Sequence, residues 1–236
     1  MEMKIAAALS KDERMMEIVQ DPDQDIHKVT ASVAYGIPVG DVTKPQRTNA
    51  KTVGFGIMYG RGTEALANAL GITLEEAGRL IRSFFEAYPG IRRMFNRNEN
   101  FMLKHGYVYT WYGRRRRFWE GPVPPVHELA IAMEESVGKA RSIVGSWKRQ
   151  GNNMIIQGTG ADVVKMAMLR VNNAIEENDW GDTELVGQVH DELIALTPEE
   201  HAKDVLDMMC TLMPVEINGI KLGVEGVIKP TLSKAA

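Results

Sequence analysis

Arg47, Lys51, Phe55 and Tyr59 follow one another at four-residue spacing in a segment that ends at Gly60. On a helix this spacing sets two cations and two aromatic rings along one slowly drifting stripe. Such a face suits a nucleoside triphosphate. The cations neutralise phosphate oxygens as charge moves toward a leaving pyrophosphate, and the rings stack on, or wall off, a base and sugar. An ordinary amphipathic helix has the same spacing, so the segment alone leaves both readings open. Gly54, Gly56 and Gly60 each weaken a helix by about 1 kcal/mol relative to Ala, and close approach to a substrate is one reason for them.

A second candidate is Val189-His190-Asp191-Glu192-Leu193. Adjacent carboxylates at the polar centre of an otherwise apolar hairpin repel each other and lose hydration unless a cation or solvent compensates them. A divalent metal does so, and Mg²⁺ favours one or two carboxylates plus substrate phosphates over an all-protein cage. An acidic surface turn is the alternative. The commonest rival templates are absent: there is no G-x-x-x-x-G-K-[ST], Gly54 and Gly56 do not complete a G-x-G-x-x-G, and Ser146 lacks the glycine of a nucleophile elbow.

The elements that must carry these residues are legible from caps and periodicity. Asp25 caps a predicted helix to Gly36, and Thr43 with Pro45 opens another to about Tyr59. Thr73 and Glu76 form a capping-box pattern ahead of a helix that stops at Pro89-Gly90, and Ile91–His105 forms the next. Tyr107–Trp111 reads as a strand turning at Tyr112-Gly113 into Arg114–Arg117. One helix is expected over 126–150 and another over 161–177. Two strands meet within 184–196, and Thr197-Pro198-Glu199-Glu200 reads as a capping box for a helix to about Met213. Asn218-Gly219 between apolar flanks signals a type I′ hairpin. The fold class is therefore α+β, mostly helical, with a small antiparallel sheet in the last third.

At 236 residues, with 44% apolar and 25% charged side chains, the chain can bury a sizeable core as a soluble globular protein. The single cysteine excludes an internal disulfide framework and a Cys-based zinc site, which points to a reducing cytoplasm. No apolar run is long enough to span a membrane, and early charges exclude a secretory leader. A net charge of -3 confines any nucleic-acid site to local basic clusters. The candidates are Arg114–Arg117 and the set Lys139, Arg141, Lys148 and Arg149.

Taken together, these residues carry a resemblance. Arg47-x₃-Lys51-x₇-Tyr59-Gly60 resembles motif B, the mobile fingers helix of family A (bacterial DNA polymerase I-like) polymerases, and His190-Asp191-Glu192 resembles their motif C. Asp25-Ile26-His27, Tyr109-x₃-Gly113-Arg114-Arg115 and Gln157-Gly158-Thr159 fall in the family's order. Met1-Glu2-Met3-Lys4 is similar to the last four positions of motif A.

The resemblance implies residues 1–24 as partial palm, 25–120 as fingers and 121–236 as the rest of the palm. It implies two-metal nucleotidyl transfer on primer-template DNA with deoxynucleoside triphosphates and two Mg²⁺ ions. Asp191 binds metal, Glu192 supports the site and His190 sits at the primer end. Arg47 and Lys51 contact the triphosphate, Phe55 packs by the incoming sugar, and Tyr59 stacks near the template base. Glu2 disfavours a ribose 2′-OH, which weighs against the single-subunit RNA polymerases that share the motif B layout. Gln157, Asn153, Arg114 and Arg115 contact DNA.

The motif A aspartate has no counterpart in this sequence. The chain alone is therefore expected to be nearly inactive and to need an upstream polypeptide that supplies this aspartate and a thumb. A split gene, an interrupted gene and an incomplete reading frame are equally compatible with that pattern, in a bacterial cell or a phage-infected host. The hairpin around Asp191 is expected to leave an edge and an apolar face open. A noncatalytic DNA-binding or assembly subunit is the alternative. The stretch 119–139, with Pro122, Pro124 and Pro125, looks longer than the family's connection.

Overall fold

The computed structural model describes residues 1–231. Two compact units emerge, one of residues 2–159 and one built from residues 160 onward.

The first unit is helical: α1 (Glu2–Ser10), α2 (Glu13–Gln20), α3 (Ile26–Tyr35), α4 (Lys44–Met58), α5 (Thr63–Leu70), α6 (Leu74–Ala87), α7 (Pro89–His105), α8 (Val126–Ala132) and α9 (Val137–Asn153), with a short hairpin of β1 (Tyr107–Tyr109) and β2 (Arg115–Arg117) after α7. The caps explain the helix bounds. Asp25 accepts from the backbone N–H groups of His27 and Lys28, and Gly36 closes α3 in the left-handed region. Thr43 and Gln46 exchange a full capping box at the start of α4, with Pro45 in its first turn.

The core forms where α1, α6 and α7 converge. Ile5, Phe84, Tyr88, Ile91 and Met102 are almost wholly buried, and the alanines of α1 let its neighbours approach closely. Tyr88 keeps its hydroxyl satisfied at 3.0 Å from Thr30 Oγ1. Asp12 is buried and serves two helix starts, accepting from Met15 N at 3.0 Å and from Gly90 N at 2.6 Å. Pro89 thus begins α7 rather than ending α6, because its missing N–H is one the first turn leaves unused anyway.

The single helix expected over 126–150 is two. Glu134 adopts φ +54°, and Ser136 caps α9 by accepting from Lys139 N. The long 119–139 connection is an ordered satellite core, in which Leu129 and Ala140 pack with Trp119, Val123 and Trp147. A π-helical turn (Met154–Gly158) leads out of α9 into α10 (Thr159–Glu177).

In the second unit, α10 and α11 (Ala202–Leu212) pack with the hairpin of β3 (Glu184–Val189) and β4 (Glu192–Leu196), and β5 (Val215–Ile217) pairs with β6 (Ile220–Leu222). Asn218 and Gly219 both have positive φ, as a type I′ turn requires. The antiparallel pairs are three separate two-stranded ladders among the described residues, not one sheet. The capping box expected at Thr197 does not form. Its hydroxyl lies 2.7 Å from Thr183 Oγ1, and a 3₁₀ turn over Glu199–His201 precedes α11. Among the described residues no helix is long and apolar enough to cross a membrane.

Candidate active site

The α4 stripe exists as a continuous row of contacts. Arg47 pairs with Asp25 at 2.6 Å, the same carboxylate that caps α3. Burial pushes the Asp25 carboxyl up, but the Arg47 guanidinium and the backbone donors of α3 outweigh it and hold the group below its ordinary value. One turn on, the Lys51 ammonium stands 5.9 Å from the Phe55 ring centroid, and the His27 ring centroid lies 5.7 Å from it. Burial lowers the His27 pKa; Asp25 opposes this and the cations Arg47 and Lys51 reinforce it, so the imidazole is neutral at pH 7. Phe55 and Tyr59 stack with ring planes 18° apart.

At the far end the Tyr59 hydroxyl donates to Glu2, 2.8 and 2.9 Å from its two oxygens. Gln157 Nε2 donates to Glu2 at 3.3 Å from the π-helical turn. Burial and then the Glu2 carboxylate raise the Tyr59 pKa. π turns displace side chains from the regular helical row and recur at functional sites, and this one presents the exposed Gln157 to Glu2. The half-buried Asn153 lies one turn earlier.

Lys51 stands apart from its neighbours in the row. It is exposed and pairs with no carboxylate among the described residues, whereas Arg47 is already engaged. Arg114 donates to Gly158 O at 2.9 Å, fixing the hairpin to the π turn, and Arg115 lies 5.0 Å from the Tyr107 ring. Of the other basic candidates, Lys148 is paired with Glu99 at 3.5 Å.

Close packing accompanies two of the three glycines, Gly56 and Gly60, while Gly54 has room for a side chain. A Cβ on Gly56 would fall 2.5 Å from Leu66 Cδ2 of α5, and Gly60, at φ +70°, would bring one 2.7 Å from Arg149 Cβ.

In the second unit, His190 and Asp191 form the two-residue turn of the β3–β4 hairpin, with Glu192 starting β4 opposite Val189. His190 has φ +54°, a left-handed state that is uncommon outside glycine, asparagine and aspartate. His190, Asp191 and Glu192 are all exposed, so the two carboxylates keep their hydration; the expected desolvation does not occur. Neither carboxylate is hydrogen-bonded or ion-paired among the described residues, and no group of three metal-ligating side chains converges there. Their hard oxygens suit Mg²⁺ as part of a coordination shell completed by other groups. The hairpin is open, as expected: Val186, the extra residue of a bulge, Val189 and Leu196 are 46%, 51% and 60% exposed, while Leu193 faces the core.

Asp25-Ile26-His27 stands in the family's order in the sequence, and Asp25 reads there as a cap, but neither Asp25 nor His27 is singled out as a site residue; the pairing of Asp25 with Arg47 spans 22 positions.

A helix that carries two cations and two stacked rings and is tied to Glu2 has the chemistry to meet a nucleotide. A sequence profile for DNA polymerase family A matches residues 1–234, and the chain belongs to that family. DNA polymerase I of Chloroflexus aurantiacus is 38% identical over 214 residues, covering 90% of this chain and 21% of the relative. The thermostable DNA polymerase I of Thermus aquaticus is 33% identical, covering 86% and 22%. The chain thus spans about a fifth of the curated relatives it matches. Among solved structures, the POL domain of Pol1 from M. smegmatis in complex with DNA primer-template and dNTP superimposes with a TM-score of 0.76 at 28% identity, covering 94% of this chain and 36% of that one.

Proposed function

We propose that the chain performs template-directed DNA synthesis as the C-terminal portion of a family A polymerase active site. Residues 25–120 act as fingers, and 1–24 and 121–236 as parts of the palm. The observation that carries this reading is the α4 row, in which the unpaired Lys51 lies between an engaged Arg47 and the Phe55–Tyr59 stack.

Lys51 binds the triphosphate, and Arg47 reaches it by exchanging its Asp25 contact for phosphate oxygens. Phe55 walls the incoming sugar, Tyr59 meets the template base, and Glu2, held by Tyr59 and Gln157, excludes a ribose 2′-OH. Gln157, Asn153, Arg114 and Arg115 line the primer-template, and His190 sits at the primer end. Asp191 and Glu192 would hold Mg²⁺, which supplies activation of the primer 3′-OH and charge balance for the leaving pyrophosphate. Two-metal transfer needs a further shared aspartate. We assign it to a segment upstream of the partial motif A at Glu2–Lys4, which would also bring a thumb.

Primer extension with Mg²⁺ and deoxynucleotides tests this directly, comparing the chain alone with the chain supplemented by an upstream polypeptide ending in that aspartate. Synthesis only in the mixture, abolished by Asp191→Ala, is the expected result. Robust synthesis by the chain alone would refute the need for the upstream aspartate, and silence in both would favour a noncatalytic subunit.

A further inference from the structure

Away from the α4 row, the turn from α6 to α7 holds an open cavity of about 320 Å³ lined by Arg82, Phe85, Glu86, Pro89, Arg92 and Arg93. Three guanidiniums meet one carboxylate there, and none of the three is ion-paired among the described residues. The Arg92 guanidinium lies over the Phe85 ring at 3.7 Å from its centroid, which makes a flat, cationic platform with an aromatic base.

The positive charge continues beyond the cavity. Residues 92, 93, 96, 97, 100 and 104 fall within one arc of α7 at helical spacing, and all are exposed. They are arginines, asparagines and one lysine, with no acid among them. The nearest acid on the helix, Glu99, is half-buried and taken by Lys148 and Asn152. From Arg93 to Lys104 this row runs roughly 16 Å at the helical rise, and α7 then delivers the chain into the β1–β2 hairpin.

We propose that this face of α7 is a track for single-stranded DNA, with the Arg92–Phe85 platform stacking a base and Arg82, Arg93, Arg97 and Lys104 contacting successive phosphates. Cations in a row beside a stacking surface are what sequence-independent single-strand binding needs, since every base has a π-face and every linkage a phosphate. Exposed asparagines between the cations add neutral donors to phosphate oxygens. On a chain of net charge -3, a cationic row this long on α7, with Glu86 the one acid lining the cavity at its start, favours a polyanion over a small anion, which would need only the cavity. The inference rests on the polymerase reading for its substrate, and the strand it takes is the unpaired template ahead of the primer end.

Fluorescence anisotropy at low salt tests it, using this chain with a primer-template that has a one-nucleotide overhang and with one that has a long overhang. The long overhang should bind more tightly by about tenfold or more, and the salt slope should steepen by roughly 0.7 per added phosphate contact. In the triple variant Arg92→Glu, Arg93→Glu, Arg97→Glu, that gain should vanish while short-overhang binding stays. The lysine triple variant should keep most of the salt-dependent gain, and circular dichroism should show both variants folded. Equal binding of the two substrates by the unaltered chain, or equal loss on both in the glutamate variant, would overturn the track and leave the polymerase reading intact. Binding of neither substrate would overturn the track, the polymerase reading being judged by primer extension of the mixture, and capture of a polyglutamate peptide in preference to the long overhang would overturn the choice of DNA.

Discussion

The α4 row and the β3–β4 turn are both candidate catalytic regions, yet one is cross-tied and the other is bare. Along α4, Arg47 is held by Asp25, Phe55 is flanked by His27 and Lys51, and Tyr59 is bonded to Glu2. At the turn, Asp191 and Glu192 touch no donor among the described residues. On the proposed function, the difference follows from the ligands each region would meet. A triphosphate arrives with its own charge and leaves after each cycle, so its cations need resting partners that keep the side chains oriented without desolvating them. A hydrated divalent cation recognises acceptor oxygens, and any resident donor on Asp191 would compete with it. Pre-formed contacts along α4 therefore coexist with exposed carboxylates at the turn.

The comparison can be broken most sharply at Asp191. In the assembled polymerase, Asp191→Asn should lower primer extension by about a thousandfold, the equivalent of ~4 kcal/mol of transition-state stabilisation. Thermal unfolding should shift by no more than the ~0.5 kcal/mol usual for exposed positions. A variant that keeps a tenth of the activity would show that Asp191 is an ordinary acidic turn residue.

Within the α4 row, the two cations should separate by their resting partners. Lys51→Ala should lower kcat/KM for the nucleotide by roughly ten- to a hundredfold, as expected for loss of one charge aimed at the transferring phosphates, with unchanged stability. Arg47→Ala should lower it similarly and also destabilise the fold, by no more than about 1 kcal/mol because the Asp25 pair is partly exposed. That second loss should appear above the acid range and fade as Asp25 is protonated, since a carboxyl with a depressed folded pKa stabilises only while ionised. Steady-state kinetics beside chemical denaturation at pH 7 and pH 3 would separate these effects. Destabilisation by Lys51→Ala equal to that of Arg47→Ala would erase the distinction.

What the sequence made legible was local. Asp25 with Gly36, Thr43 with Pro45, and Asn218-Gly219 set their elements through contacts within a few residues, and the structure keeps all three. The fold class and the α4 stripe follow from periodicity of the same short range. The misreadings concern partners far along the chain or single backbone states. Thr197 abandons its capping box for Thr183, and Glu134 in the left-handed region splits a helix whose periodicity runs on. The π turn that presents Gln157 carries no local signature either. Of the site, the residue types and their stripe were readable, but the ties that hold them were not.

His27 offers the gentlest test, because it belongs to the tied region without belonging to its charge pairs. Burial beside Phe55 keeps its imidazole less basic than in the unfolded chain, with Asp25 only partly compensating. The unfolded state therefore takes up the proton first as the pH falls through about 6.5, and stability declines until the folded pKa is reached. Well above the unfolded value of about 6.5, His27 adds no pH dependence. In melting curves from pH 8 to pH 5, His27→Gln should flatten the descent below pH 6.5, leaving the lower limb from Asp25 in place. A descent that persists unchanged would mean the ring is as easily protonated in the fold as out of it. The row around Phe55 would then be looser than its contacts imply, and closer in character to the open turn.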